Sequence, residues 1–119
     1  MRSKGLTTSI SPPARDTAYN LGPVTRFPLG EGRLVELGPE ALAVAVFRTR
    51  AGPVYVTQAR CPHQRGPLPD GTTGGATLVC PLHGYRFDLA TGGPLGNDCE
   101  ALKTYPVAVS DAGDLILTM

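Results

Sequence analysis

Short apolar runs separated by turn residues occupy the chain from residue 19 to its end. The run ALAVAVF is apolar throughout, which is typical of a strand covered on both faces. The run TYPVAV alternates, with Tyr105, Val107 and Val109 on one face, as in a half-buried strand. Further strands rich in β-branched and aromatic residues are predicted at VTRFPL, RLVEL, PVYVTQA, TLVC, YRFDL and LILTM.

Turn signals separate these runs, namely LGEG, RAGP, PDGTTGG, ATGGP and SDAGD. Fifteen glycines and twelve prolines leave little room for long helices. Many short strands at close spacing predict an all-β fold, a sandwich or a small barrel. The length of 119 residues fits one domain. We expect a flexible N-terminal tail over residues 1–18 and a folded domain over residues 19–119.

Charge and cysteine content narrow the possible partners. The net charge of +1 offers little to a nucleic-acid backbone, and no apolar run approaches the ~20 residues needed to span a bilayer. The N-terminus lacks the apolar middle of a secretory signal. The chain has three cysteines, and an odd number argues against a disulfide framework. We therefore expect a cytoplasmic protein that binds neither nucleic acid nor membrane.

Both histidines and two of the three cysteines belong to one doubled pattern. The sequence reads CPHQRG from Cys61 and CPLHGY from Cys80, so that His63 and His83 each follow a Cys-Pro pair closely. On the predicted strands, both stretches fall on loops at strand ends. A β scaffold can bring two such loops face to face, and the four side chains are then candidate metal ligands.

Two kinds of metal site fit these four residues. Two thiolates and two imidazoles can complete a tetrahedral zinc site, which would make this a structural zinc-binding domain. Zinc knuckles commonly keep a cysteine pair together, whereas here each loop carries one cysteine and one histidine. A mixed loop suits a binuclear iron centre in which each loop gives its cysteine to one iron and its histidine to the other.

The motif resembles that of the Rieske iron–sulfur family, whose 2Fe–2S cluster has two histidines in place of two cysteines on one iron. The CPH and CPLHG loops, their order and the sixteen-residue gap between His63 and Cys80 carry the resemblance. YRFDLATG after the second loop and LKTYPVAV near the end extend it over roughly residues 19–119. The resemblance implies an antiparallel β-sandwich or small barrel with both cluster-binding loops at one end. It also implies that Cys61, His63, Cys80 and His83 hold a Rieske 2Fe–2S cluster.

The implied function is electron transfer, because four protein ligands leave the irons no open position for a substrate. The chain is expected to have no catalytic residues of its own and to carry one electron from a reductase to a terminal oxygenase. An alternative is the small Rieske subunit of an NAD(P)H-dependent nitrite reductase, which works with a large subunit that contains flavin and sirohaem. A ferredoxin shuttles alone, whereas a subunit co-purifies with its partner.

The sequence departs from the quinol-oxidising branch of the family in ways that affect the reduction potential. That branch carries an extra disulfide across the cluster loops, and the aligned positions here are Gly66 and Leu82. The same branch places Ser and Tyr hydroxyls near the cluster sulfurs, where this chain has Tyr85 and Phe87. Loss of two hydrogen bonds to sulfur predicts a potential near the low end of the range of about −150 to +300 mV.

Two other residues receive simpler interpretations. Cys99 has no companion histidine at motif spacing and is interpreted as a free structural or surface thiol. Pro94 is a candidate for a third loop that covers the cluster in this family.

Overall fold

The computed structural model describes residues 17–39, 41–62, 66–82 and 84–119. Residues 1–16 of the predicted tail lie outside the described residues. Across the described ranges, the chain forms eleven strands and two short 3-10 helices, and the strands pair antiparallel in three sheets. The prediction of an all-β, antiparallel fold is confirmed.

The three sheets are named here for their positions. In the terminal sheet the order is β1 (Ala18–Pro23), β11 (Asp114–Thr118) and β10 (Val107–Val109). In the central sheet the order is β2 (Glu31–Leu37), β3 (Leu42–Arg48), β4 (Val54–Gln58) and β9 (Thr104–Tyr105). In the site sheet the order is β5 (Thr72–Gly74), β6 (Thr77–Val79), β7 (Arg86–Asp88) and β8 (Pro94–Leu95).

Strand β3 is buried on both faces, as its unbroken apolar run predicts. Ala45 and Phe47 point to one side and join a core that includes Cys61 and Cys80. Val44 and Val46 point to the other side and join a second core, with strand β11. All four of these β3 side chains are fully buried. The central sheet therefore packs against the cysteine-bearing part of the molecule on one face and against the terminal sheet on the other.

The predicted strand TYPVAV is divided between two sheets. Tyr105 pairs with Val56 of β4, whereas Val107 pairs with Leu117 of β11. Pro106 lies at the change of partner because it has no N–H to give to a ladder, and its carbonyl instead accepts the N–H of Thr118 at 3.0 Å. The alternating pattern correctly indicated extended backbone, but it did not reveal the switch of sheets.

The predicted strand VTRFPL is wrong. Val24–Arg26 form a 3-10 helix, and the Val24 N–H is taken by the Gly113 carbonyl at 2.9 Å. Pro23 and Pro28 flank this stretch and supply no N–H for a strand ladder. The apolar residues of this stretch serve packing and not a strand ladder, since Phe27 is buried in the second core.

Candidate metal centre

The two cysteine loops are built on the same backbone plan. The N–H of Cys61 donates to the carbonyl of Gly66 at 2.9 Å, and the N–H of Cys80 donates to the carbonyl of Tyr85 at 2.7 Å. In each loop the hydrogen bond joins the cysteine to the residue five positions later. Each bond closes a loop at the cysteine itself, so both cysteine side chains lie at the base of a loop.

Regular pairing beneath each loop holds these bases in position. Below the first loop, Arg60 bridges to Pro67, and the Leu68 N–H donates to Ala59 at 3.0 Å. Below the second loop, Val79 of β6 pairs with Arg86 of β7. The prediction that both motifs lie on loops at strand ends is confirmed.

The two loops lie against each other. A Cβ atom built on Gly66 would lie 3.0 Å from Cγ and Cδ1 of Leu82, and 3.3 Å from Sγ of Cys80. The first loop therefore lies against both Cys80 and Leu82 of the second loop. A side chain at position 66 would therefore require Leu82 to shift by a few tenths of an ångström.

Cys61 and Cys80 are brought together in the buried interior. Each is 1% exposed, and both belong to the core formed with Phe47 and Phe87. Burial raises the pKa of the Cys80 thiol, and the neighbouring cysteines add to the rise, whereas the Leu82 backbone N–H acts in the opposite direction. Two adjacent buried thiols need a metal or other cation to hold both as thiolates.

His63 and His83, the other two predicted ligands, lie outside the described residues. Considering only the described ranges, no group of three or more His, Cys, Asp or Glu side chains is placed to hold a metal ion. The described residues thus supply a pair of buried cysteines in one core. In the sequence, His63 and His83 come between the residues whose hydrogen bonds close the two loops. This donor set fits a 2Fe–2S centre in which one iron takes two cysteines.

Cys99 was missed as a residue of this region. Its side chain packs against the core that contains Cys61 and Cys80. Burial raises the pKa of the Cys99 thiol, and the nearby Cys61 raises it further. No motif spacing marks this residue, because a turn after β8 brings it to the loop. The one local signal is Asn97, whose side-chain oxygen accepts the Cys99 N–H at 2.8 Å.

Pro94 lies in strand β8 opposite Phe87, not in a covering loop. The segment that follows β8 is the one that reaches the cysteines. Leu82, on the second cysteine loop, is 38% exposed. Leu95, on the edge strand β8 of the site sheet, is 40% exposed.

Comparison with known proteins identifies the family. The model of the Rieske [2Fe-2S] domain matches residues 17–106, and the chain belongs to this family. The chain is 36% identical to the 3-phenylpropionate/cinnamic acid dioxygenase ferredoxin subunit of Photorhabdus laumondii, over 81% of this chain and 89% of that protein. It also matches 12% of the length of the 4beta-methylsterol monooxygenase of Methylococcus capsulatus, at 44% identity over 45 residues.

Solved structures agree with this assignment. The Sphingomonas yanoikuyae B1 ferredoxin is 34% identical and superposes with a TM-score of 0.74, over 87% of this chain and 99% of that one. A nitrite reductase small subunit structure from Mycobacterium tuberculosis shares the fold, with a TM-score of 0.79 at 20% identity over 87% of this chain and 96% of that one. The protein is an electron-transfer protein whose cofactor is a Rieske 2Fe–2S cluster. In the described part of the chain, no helix has the length and apolar character needed to cross a membrane.

Proposed function

We propose that this protein carries single electrons from a reductase to a terminal oxygenase, with its cluster held by Cys61, His63, Cys80 and His83. The bound cluster supplies a one-electron couple. The observation that carries the ligand assignment is that Cys61 and Cys80 are buried in one core at the bases of two matched loops. Each loop has its histidine two or three residues after its cysteine, so both loops can contribute both ligand types.

The oxygenase assignment is supported by the length and identity of the relatives. The chain spans 89% of a dioxygenase ferredoxin subunit, so the two proteins are of similar size. The partner surface is proposed to be the end of the molecule that bears the cysteine loops, where Leu82 and Leu95 are partly exposed. Apolar side chains beside a redox centre suit brief docking, since such transient redox interfaces are small.

The chain is also proposed to be cytoplasmic. With Cys61 and Cys80 assigned to the cluster, Cys99 is the one cysteine of the three that is left. A chain without a spare cysteine pair for a structural disulfide fits a reducing compartment. Fractionation of the native host, with the protein detected by antibody, tests this assignment, and recovery in a secreted or periplasmic fraction would contradict it.

The function is tested by reconstitution. Anaerobically purified protein should contain iron and acid-labile sulfide and give a Rieske-type EPR signal after dithionite. A colourless, EPR-silent protein that contains zinc would support the structural zinc site instead. Loaded protein should restore product formation when it is added to an NAD(P)H-dependent reductase and an aromatic-ring oxygenase. Substrate-dependent NAD(P)H oxidation that is unchanged by this protein would contradict the oxygenase assignment.

The nitrite reductase alternative keeps one supporting observation, which is the close superposition on a small subunit of that enzyme. Affinity purification from the native host separates the two possibilities. Recovery of a stoichiometric flavin- and sirohaem-containing protein, together with nitrite-dependent NAD(P)H oxidation, would establish the subunit role. Recovery of the protein alone favours the free carrier.

A further inference from the structure

The second core is open at one end, where a groove lies between the central and terminal sheets. Its lining includes Arg48 and Val54 of the central sheet, and Val107, Val109 and Leu115 of the terminal sheet. Val109 pairs with Leu115 and so lies on the same face of its sheet, yet Val109 is 53% exposed while Leu115 is fully buried. The groove holds about 280 Å³, close to the lower end of the range of roughly 300 to 1,000 Å³ for small-molecule sites.

Arg48 places a cation in this largely apolar groove. It pairs with Val54, on the face of β3 that also carries Val46 of the second core. Its Nη1 donates to the Phe27 carbonyl at 3.0 Å, whereas its Nε is buried and has no hydrogen-bond partner in the described part of the chain. A buried donor without a partner is costly, and such a donor in a native protein commonly indicates a bound water or ion.

The charge of Arg48 is not neutralised by a carboxylate of the described residues. Glu31 is its direct neighbour in β2, but the Glu31 carboxylate lies 3.1 Å from the guanidinium of Arg33. The Arg48 guanidinium is a planar fork of donors that matches a carboxylate. An apolar surrounding strengthens such a charge-assisted hydrogen bond, so this groove suits a ligand with one negative charge and an apolar body.

We propose that the groove between β4 and β10 binds a small monocarboxylate, with the carboxylate on Arg48 and the apolar chain over Val54, Val107 and Val109. A short alkyl or aryl acid has a volume that suits the groove. The site lies on the face of β3 turned away from the cysteines, so the ligand can bind the loaded protein without touching the cysteine loops. Binding here is separate from the electron-transfer function and does not depend on the redox partners.

The first measurement is a titration of the oxidised, iron-loaded protein with sodium hexanoate at pH 7 and constant ionic strength, followed by amide chemical shifts in heteronuclear NMR. Saturable shifts are expected at Val54, Val107 and Val109. Hexanol has the same chain without the charge, and it should bind about tenfold more weakly, a difference of about 1.4 kcal/mol.

The variants separate the role of the guanidinium from general attraction to positive charge. Arg48→Met keeps the length of the side chain and removes the charge, and it should weaken hexanoate binding about tenfold. Arg48→Lys keeps the charge and loses the fork, and its affinity should lie between those two. Arg50→Met is the matched control, because Arg50 is exposed and lies outside the groove lining, and its affinity should equal that of wild type.

Several outcomes would overturn the proposal. The absence of saturable shifts at the groove, or equal affinities for hexanoate and hexanol, would leave the groove as a site for water. Equal weakening in Arg48→Met and Arg50→Met would show general electrostatic attraction instead of a site. If Arg48→Met does not fold, Val109→Glu decides, because its carboxylate at an exposed position competes for Arg48. This variant should weaken hexanoate binding at least tenfold, and an unchanged affinity would also overturn the proposal.

Discussion

The contact between the two cysteine loops predicts that a disulfide can be introduced at positions 66 and 82. A Cβ built on Gly66 lies 3.0 Å from Cγ of Leu82, and this Cγ occupies the place that a cysteine sulfur would take. Gly66 is not among the residues with positive φ, so its backbone accepts a side chain. These are the positions that correspond to the extra cysteine pair of the quinol-oxidising branch. The double variant Gly66→Cys/Leu82→Cys should therefore form the bond on mild oxidation.

The stabilisation follows from the size of the loop that the bond would close. A loop of roughly 17 residues has a closure entropy worth about 3 kcal/mol in the unfolded chain. For a guanidinium slope of about 3 kcal/mol/M, the unfolding midpoint should rise by roughly 1 M. The new Cβ would also lie 3.3 Å from Sγ of Cys80, which reduces the gain if the loop has to move.

The assay compares the iron-loaded double variant with and without a reductant, by anaerobic guanidinium unfolding. The matched control is Gly66→Ser/Leu82→Ser, which has similar volume and no bond, and which should not respond to the reductant. Peptide mapping should find the linkage between positions 66 and 82. The absence of this linkage after oxidation would show that the two loops are not in contact at positions 66 and 82. A linked protein that is no more stable than its reduced form would contradict the expected stabilisation.

Three further predictions concern the backbone, the ligands and the potential. Gly92 has φ of +82°, and an added Cβ would overlap the Leu102 carbonyl. Gly92→Ala should therefore lower the free energy of unfolding by about 3 kcal/mol or more. Gly75→Ala, with φ of +59° and open space around the Cβ, should lower it by about 1 kcal/mol, and equal losses in denaturant titration would refute the overlap. Cys80→Ala should lose most of its iron by elemental analysis, whereas a full complement would remove it from the ligand set. Redox titration should give a midpoint below about +100 mV within the family range, because Phe87 has no hydroxyl to donate to a cluster sulfur. His83→Cys, which adds a negative charge, should lower this midpoint. A wild-type midpoint above that limit would contradict the argument from Phe87.

Local pattern was sufficient to predict most strands and the two cysteine loops. The run around Val44 and Val46 has no polar residue, and a strand with that composition has to be covered on both sides. The spacing of Cys61 and Cys80 from their prolines and histidines likewise indicated matched loops. These features depend on neighbours in sequence, so a single sequence is enough to predict them.

Features that depend on distant partners were not predicted. The Val24–Arg26 turn is held by the Gly113 carbonyl, which is far away in the chain, and its composition alone favours a strand. The sequence shows Pro106 as a break in the strand TYPVAV. The sheets joined by the residues before and after it depend on the positions of β4 and β11. Cys99 packs against the core that contains Cys61 after a turn in which Asn97 accepts its N–H, and neither residue belongs to a recognised spacing.

Strand β3 also has a consequence for how the molecule opens. Because Ala45 and Val46 are neighbours in the chain but belong to different cores, neither half can detach without exposing a face of the same strand to water. Amide protons of β3 should consequently exchange with solvent deuterium only when the whole domain unfolds. The terminal sheet thus covers the face of β3 that is turned away from the cysteines, although it contributes none of the proposed ligands.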